Sequence, residues 1–215
     1  MYRTIKGVIF DMDNTLLRSN IDFELMKKET YAFLSSRGIL TTDIKLQEHT
    51  TSTIIEKALL TNRMSEDVIK EMWKIAVKHE IIGMQEAKLE PGVVELLESM
   101  KGKYHLVVVT NNSMKAAEAA LQDNSIMEYF DHLIGREMMA SLKPSPDGFL
   151  QVLNVYNDTL STEWISVGDA WIDGKASTEA GITFLSYNGD IVKMNQMGVF
   201  PDAQIKDIRE LLQFI

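Results

Sequence analysis

A chain of 215 residues, 45% hydrophobic and 25% charged, has the composition of a soluble globular protein and is long enough to bury a core without disulfides. It contains no cysteine, which excludes disulfides, thiolate nucleophiles and cysteine-ligated zinc. The formal net charge of -9, from 31 acidic and 22 basic residues, argues against nucleic-acid binding but leaves room for a small anionic ligand, whose site is set by local donors.

The chain opens Met1-Tyr2-Arg3-Thr4-Ile5-Lys6, with no apolar leader, and no window approaches a membrane span. A cytoplasmic protein with no membrane partner is expected. The first apolar run, Gly7–Phe10, reads as a buried strand. From about Arg18 to Met84 the pattern is helical only. One apolar stripe runs through Phe23, Met26, Tyr31, Phe33 and Leu34, and a cleaner one through Val68, Ile69, Met72, Trp73, Ala76 and Val77. Ser65 precedes the second with acids in the first turn, as an N-cap would.

Alternation begins near Pro91, which reads as a first-turn proline of the next helix. Further helices are expected over residues 114–122, 146–156 and 173–180, the last stopped by Gly181. Strands are expected over residues 106–109, 165–167 and 182–185, with a less apolar fifth run at His132–Ile134. Strands alternating with helices of this length imply a Rossmann-like, doubly wound parallel sheet. The expected organisation is an α/β core over residues 1–17 and 86–215, interrupted by an all-helical cap over residues 18–85.

In an open parallel sheet, ligands bind beyond the carboxyl ends of the strands. The first strand ends on Asp11-Met12-Asp13-Asn14-Thr15, the second on Thr110-Asn111-Asn112, and the 165–167 run on Gly168-Asp169, with Asp173 four residues on. Lys143 precedes Pro144 after the fifth run. Asp11, Asp13, Asp169 and Asp173 crowded on one rim would repel, so a cation belongs among them. Hard carboxylate oxygens without histidine suit magnesium. Calcium is the competitor, but the loop that starts at Asp11 lacks the glycine and glutamate of a calcium loop. A hydroxyl at Thr110, the amides of Asn111 and Asn112 before a helix, Lys143 and a metal together make a phosphate cradle. One carboxylate beside it can attack phosphorus, and a second two residues on can protonate the leaving group and then activate water.

Each residue also has a plainer reading. Asp11 and Asp13 alone could form a solvated turn, Thr110 could satisfy a backbone group, and Lys143 could be a surface lysine. Asp173 could be only a helix cap, and Trp171 loop packing. In the cap, Arg18, Lys45, His49 and Arg63 could reach a substrate but read first as solvated charges.

Taken in order, the four segments resemble the haloacid dehalogenase superfamily, in its phosphatase branch with an alpha-helical cap of the first type, close to phosphoglycolate phosphatase and beta-phosphoglucomutase. Val8-Ile9-Phe10-Asp11-Met12-Asp13-Asn14-Thr15 matches its D-x-D-x-T motif, with Asn14 where glycine is usual. Residues 106–111 match the strand ending in threonine or serine, Lys143-Pro144-Ser145-Pro146 the lysine motif, and Gly168-Asp169-Ala170-Trp171-Ile172-Asp173 the G-D-x-x-x-D motif. The resemblance implies a magnesium-dependent phosphatase of a small phosphorylated metabolite, working through an aspartyl phosphate. It implies Asp11 as nucleophile and Asp13 as general acid/base. It implies Asp11, the Asp13 carbonyl and Asp169 as magnesium ligands, Thr110, Asn111 and Lys143 on the phosphate, and Asp173 in support. A phosphosugar mutase or a pyrophosphatase would use the same motifs. A phosphonatase would need a cap lysine, for which Lys45, Lys57, Lys70, Lys74 and Lys78 are available. A non-enzymatic phospholigand-binding regulator would be expected to have lost one of the motif residues, and none is lost.

Overall fold

The structure, a computed structural model, describes residues 4–215, so the Met1-Tyr2-Arg3 part of the N-terminal reading lies outside the described residues. In chain order the elements are β1 (Gly7–Phe10), β2 (Leu17–Arg18), α1 (Phe23–Ser36), α2 (Thr51–Leu60), α3 (Glu66–Met84), β3 (Lys88–Leu89) and α4 (Val93–Met100). Then come β4 (His105–Val109), α5 (Met114–Asp123), β5 (His132–Ile134), α6 (Asp147–Val155), β6 (Trp164–Gly168), α7 (Trp171–Glu179), β7 (Thr183–Tyr187), α8 (Ile191–Gln196) and β8 (Ala203–Ile205). Packing divides the chain into an α/β unit, formed by residues up to Ser19 with Ala87–Ile215, and a helical unit, Asn20–Glu86.

The α/β unit holds a parallel sheet in the order β5-β4-β1-β6-β7-β8. β1 is central and pairs on both edges, Val8 with Leu106 and Ile165, and Phe10 with Val108 and Val167. Covered on both faces, it has no solvent side, which is why Val8, Ile9 and Phe10 are all fully buried and the strand reads as an unbroken apolar run. The chain runs outward from β1 through β4 to β5, then returns to the other side for β6, β7 and β8. The carboxyl ends of β1, β4 and β6 therefore flank the point where strand order reverses, the expected ligand crevice.

The helical unit packs α1 against α2 and α3 around Leu34, Ile54 and Met72, which are fully buried. Its helices start where polar residues can take up free amides. Asp22 accepts from Leu25 N–H, Thr50 and Thr53 form a capping box, and Ser65 accepts from Val68 N–H. Among the described residues, no helix is long and apolar enough to cross a membrane.

Two expectations are corrected. Arg18 belongs to the α/β unit, because β2 and β3 pair antiparallel, Leu17 with Leu89 and Arg18 with Lys88. Pro91 lies outside the helix it was expected to open; Gly92 is the N-cap of α4, with φ +84. The two- and three-residue strands β2, β3 and β8 carry too little pattern to be read from sequence. Trp171 is a packing residue, seated against Phe184, Met194 and Val199.

Gly7 of β1 pairs with Trp164 of β6 and lies against its ring. A Cβ there would come within 2.3–2.6 Å of three ring carbons of Trp164, a ring held in place by its Nε1–H bond to Thr159. Gly7→Ala is expected to lower stability by about 1–3 kcal/mol through overpacking, read as a lower urea midpoint at unchanged slope.

Candidate active site

The acid cluster begins where β1 stops. The Asp11 N–H still donates to the Val167 carbonyl at 2.9 Å, so its side chain leaves the sheet at the carboxyl rim. The chain then folds into a turn, with Leu16 and Leu17 N–H donating to the Met12 carbonyl and Asn14 N–H to that of Leu17. Asn14 takes φ +55 there, a conformation asparagine tolerates better than most residues. Thr15 donates its hydroxyl to Asp11 Oδ2 at 3.3 Å, and Asp13 Oδ2 accepts from Asn112 Nδ2 at 2.7 Å.

β4 supplies the second segment. Thr110 N–H donates to the Ile134 carbonyl, and Thr110 Oγ1 accepts the Asn112 N–H at 3.2 Å. Ser113 then caps α5 by accepting from Ala116 N–H. β6 supplies the third. Asp169 follows the strand, and Asp173 reaches back from the first turn of α7, its Oδ2 accepting the Ala170 N–H at 3.0 Å. Gly168 permits this approach, since a Cβ there would lie 2.6–2.7 Å from Asp173 side-chain atoms.

Lys143 joins the three segments. Its Nζ donates to Asp11 Oδ1 at 2.6 Å, Asp173 Oδ1 at 2.7 Å and the Val109 carbonyl at 3.0 Å. Its backbone is held as firmly. Asn111 Oδ1 accepts the Lys143 N–H at 2.9 Å and Asn111 Nδ2 donates to the Lys143 carbonyl at 3.0 Å. Carboxylate oxygens of Asp11, Asp169 and Asp173 lie within 4.8 Å of one another.

The electrostatics follow from this crowding. Burial pushes the Asp11 carboxyl up to about 7; Lys143 opposes the rise, and Asp173 and Asp13 add to it. Asp169 is held well above the ordinary range, again by burial first and then by Asp11, Asp173 and Asp13. Burial pulls the Lys143 ammonium down, but Asp11 and Asp173 together outweigh it, so the net shift is upward and Lys143 stays charged.

The structure thus brings Asp11, Asp169, Asp173 and Lys143 into one constellation, with Asp13 and Thr110 tied to its edge through Asn112. The Asn111 side chain is committed to the Lys143 backbone, while the expected phosphate donor at this residue is its amide before the helix. The side-chain bonds of Asn112 to Asp13 and of Thr15 to Asp11 were not foreseen from sequence, and neither was the buried Arg136, whose Nη1 reaches the Asn111 carbonyl at 3.5 Å. Amide, hydroxyl and guanidinium groups have no sequence pattern of their own; what marks them here is adjacency to a strand end. The four charges first read as belonging to the cap make local contacts: Arg18 with Glu90, Lys45 with Glu48, His49 with Thr53, and Arg63 with the Gly38 carbonyl. Of the lysines a phosphonatase could use, Lys70, Lys74 and Lys78 pair with Asp67, Glu71 and Glu29.

A family model described as haloacid dehalogenase-like hydrolase matches residues 8–187. The chain is 26% identical over 197 residues to a protein of Dickeya dadantii named "Probable phosphatase IndB", covering 88% of this chain and 84% of the relative. It is 24% identical over 221 residues to a phosphoglycolate phosphatase of Vibrio vulnificus, covering 95% and 96%. The Bacillus subtilis hydrolase YfnB, whose crystal structure is described as bound to magnesium, shares the fold with a TM-score of 0.64 over 98% of each chain at 22% identity.

A raised carboxyl pKa sets the sign of a pH effect. The native state holds the Asp11 proton to about pH 7 and an unfolded chain releases it near 3.8, so native stability falls as pH rises across that window. With divalent cations chelated, thermal midpoints are expected to drop between pH 5 and about 7. Asp11→Asn should flatten part of that slope, and Asp169→Asn another part.

Proposed function

The chain belongs to the haloacid dehalogenase-like hydrolase family, and on that footing we propose that it is a magnesium-dependent phosphomonoester hydrolase acting on a small phosphorylated metabolite, with Asp11 as nucleophile and Asp13 as general acid and base. The observation that carries this reading is the Lys143 ammonium held between Asp11 and Asp173 with Asp169 alongside. Phosphatase-named relatives spanning nearly the whole chain support the reaction class.

The donor set fits magnesium. Three carboxylates within 4.8 Å, two of them with pKa values driven up by burial and then by neighbouring acids, form a hard oxygen site short of positive charge. Asp173 is the least available of the three, because it is almost fully buried and both its oxygens accept short bonds, from Lys143 and Ala170, whereas the Thr15 bond to Asp11 is 3.3 Å long. Asp11, Asp169 and the Asp13 carbonyl would hold the ion, with Asp173 behind them orienting Lys143. When bound, magnesium neutralises charge on the phosphoryl oxygens and keeps Asp11 ionised.

The chain's own groups divide the rest of the work. Asp11 attacks phosphorus through a carboxylate oxygen, and the phosphorus–oxygen bond to the leaving group breaks. Asp13, set by its bond from Asn112, gives its proton to the departing oxygen. Asp13 then takes a proton from water, whose oxygen attacks the aspartyl phosphate and releases Asp11 with inorganic phosphate. The Thr110 hydroxyl offers a donor to the phosphoryl group as its charge spreads, and the Lys143 ammonium, its three donors already met, acts on it through its positive charge. Thr110 Oγ1 accepts from Asn112, which leaves its proton to donate outward.

Asp11→Asn is expected to lose turnover of p-nitrophenyl phosphate by about 10³-fold or more, since the nucleophile has no substitute, while circular dichroism shows a folded protein. Wild-type-like hydrolysis by that variant would refute the mechanism. Chelation with EDTA should abolish wild-type activity and added magnesium restore it. A panel of phosphorylated metabolites, with pyrophosphate and a sugar phosphate assayed for mutase products, identifies the substrate.

A further inference from the structure

Glu90 is a buried carboxylate that lies outside the acid cluster. It follows β3, is only 6% exposed, and receives three hydrogen bonds. Arg18 donates from Nε to Oε1 at 3.0 Å and from Nη2 to Oε2 at 3.2 Å, and the Tyr187 hydroxyl donates to Oε2 at 2.9 Å. These bonds offset the cost of burying the charge. The two donors are unequal. The Arg18 side chain is 68% exposed, so its pairing is screened by water. Tyr187 is buried, and burial together with the neighbouring Glu90 pushes its hydroxyl up to about 12, so it remains a donor at any working pH.

The main chain at the same residue grips the other side. Glu90 N–H donates to the Leu16 carbonyl at 2.9 Å, and Leu16 and Leu17 close the turn on Met12 that carries Asp13. Leu17 pairs with Leu89, one residue before Glu90. Tyr187 ends β7, whose Ser186 pairs with Gly168, the residue before Asp169. Glu90 thus bridges the Asp13 turn, at the end of β1, to β7, the strand that neighbours the Asp169 segment, past the intervening β6.

We infer that Glu90, through its bonds to Tyr187 and Arg18, is a positioning residue that fixes the Asp13 turn against the end of β7 and so aims the general acid at the leaving oxygen. The inference rests on the assignment of Asp13 as that acid. General acid catalysis matters when the leaving group is a poor one and little when it is a good one, so a displaced acid leaves a signature that a merely weakened fold does not.

The test compares first-turnover release of alcohol from an alkyl phosphate with that of p-nitrophenol from its phosphate ester, both with magnesium. In Glu90→Gln and Tyr187→Phe, release from the alkyl ester should slow about tenfold more than from the aryl ester, a fraction of the 10²–10⁴-fold worth of a well-placed acid. Asp13→Asn should show the same bias more strongly, and Arg18→Gln a weaker one. Equal slowing of both esters, or none, in folded Glu90→Gln and Tyr187→Phe overturns the positioning role. If Glu90→Gln does not fold, Tyr187→Phe, which removes a single hydroxyl, decides the matter. If Asp13→Asn itself shows no leaving-group bias, the acid assignment fails, and the role inferred for Glu90 fails with it.

Discussion

The Lys143 ammonium has three N–H donors and meets three oxygens, from Asp11, Asp173 and the Val109 carbonyl, with almost no exposure to water. An ammonium taken out of water is stable only if each donor is met and its charge is matched, and here both conditions hold. That requirement draws the ends of β1 and β4, the loop at residue 143 and the first turn of α7 to one point. Gly168 gives Asp173 the room to reach it, and Asn111 grips the peptide group of the lysine so that the side chain starts from a set position.

The same crowding leaves the site electrically incomplete. Lys143 lowers the cost of Asp11 and Asp173, but Asp13 and Asp169 share the rim, and burial outweighs the lysine at Asp11. A site built this way favours additional positive charge among its acids. The protein fold supplies fixed donors and acceptors at strand ends, where little reorganisation is needed as charge moves.

The fold was legible where burial is symmetrical. β1, β4 and β6 are buried along nearly their whole length, so each is mostly apolar, β6 being broken only by Ser166, whose hydroxyl pairs with Ser177, and their ends stand out as the first polar residues after the apolar run. β2, β3 and β8 were not, since two or three residues have no period to detect, and what holds β2 to β3 is the pairing of segments 70 residues apart, with Glu90 receiving Arg18. Arg18 therefore read as part of the helical stretch that follows it. Pro91 read as the start of a helix because proline suits a first turn, while the chain uses Gly92 at φ +84 as the cap instead.

By itself the sequence determined the chemistry on offer: which carboxylates, hydroxyl and lysine follow which strands, in an order that matches a known superfamily. That much is local, because a strand end and the residue after it are neighbours in the chain. Tertiary structure alone decided the partners. The Asn111 side chain gripped the Lys143 backbone, Asn112 took hold of Asp13, and Glu90 met Tyr187 across 97 positions. Hydrogen-bond partners of amides, hydroxyls and buried acids are chosen by which strand ends converge, and convergence is a property of sheet order that no single segment contains.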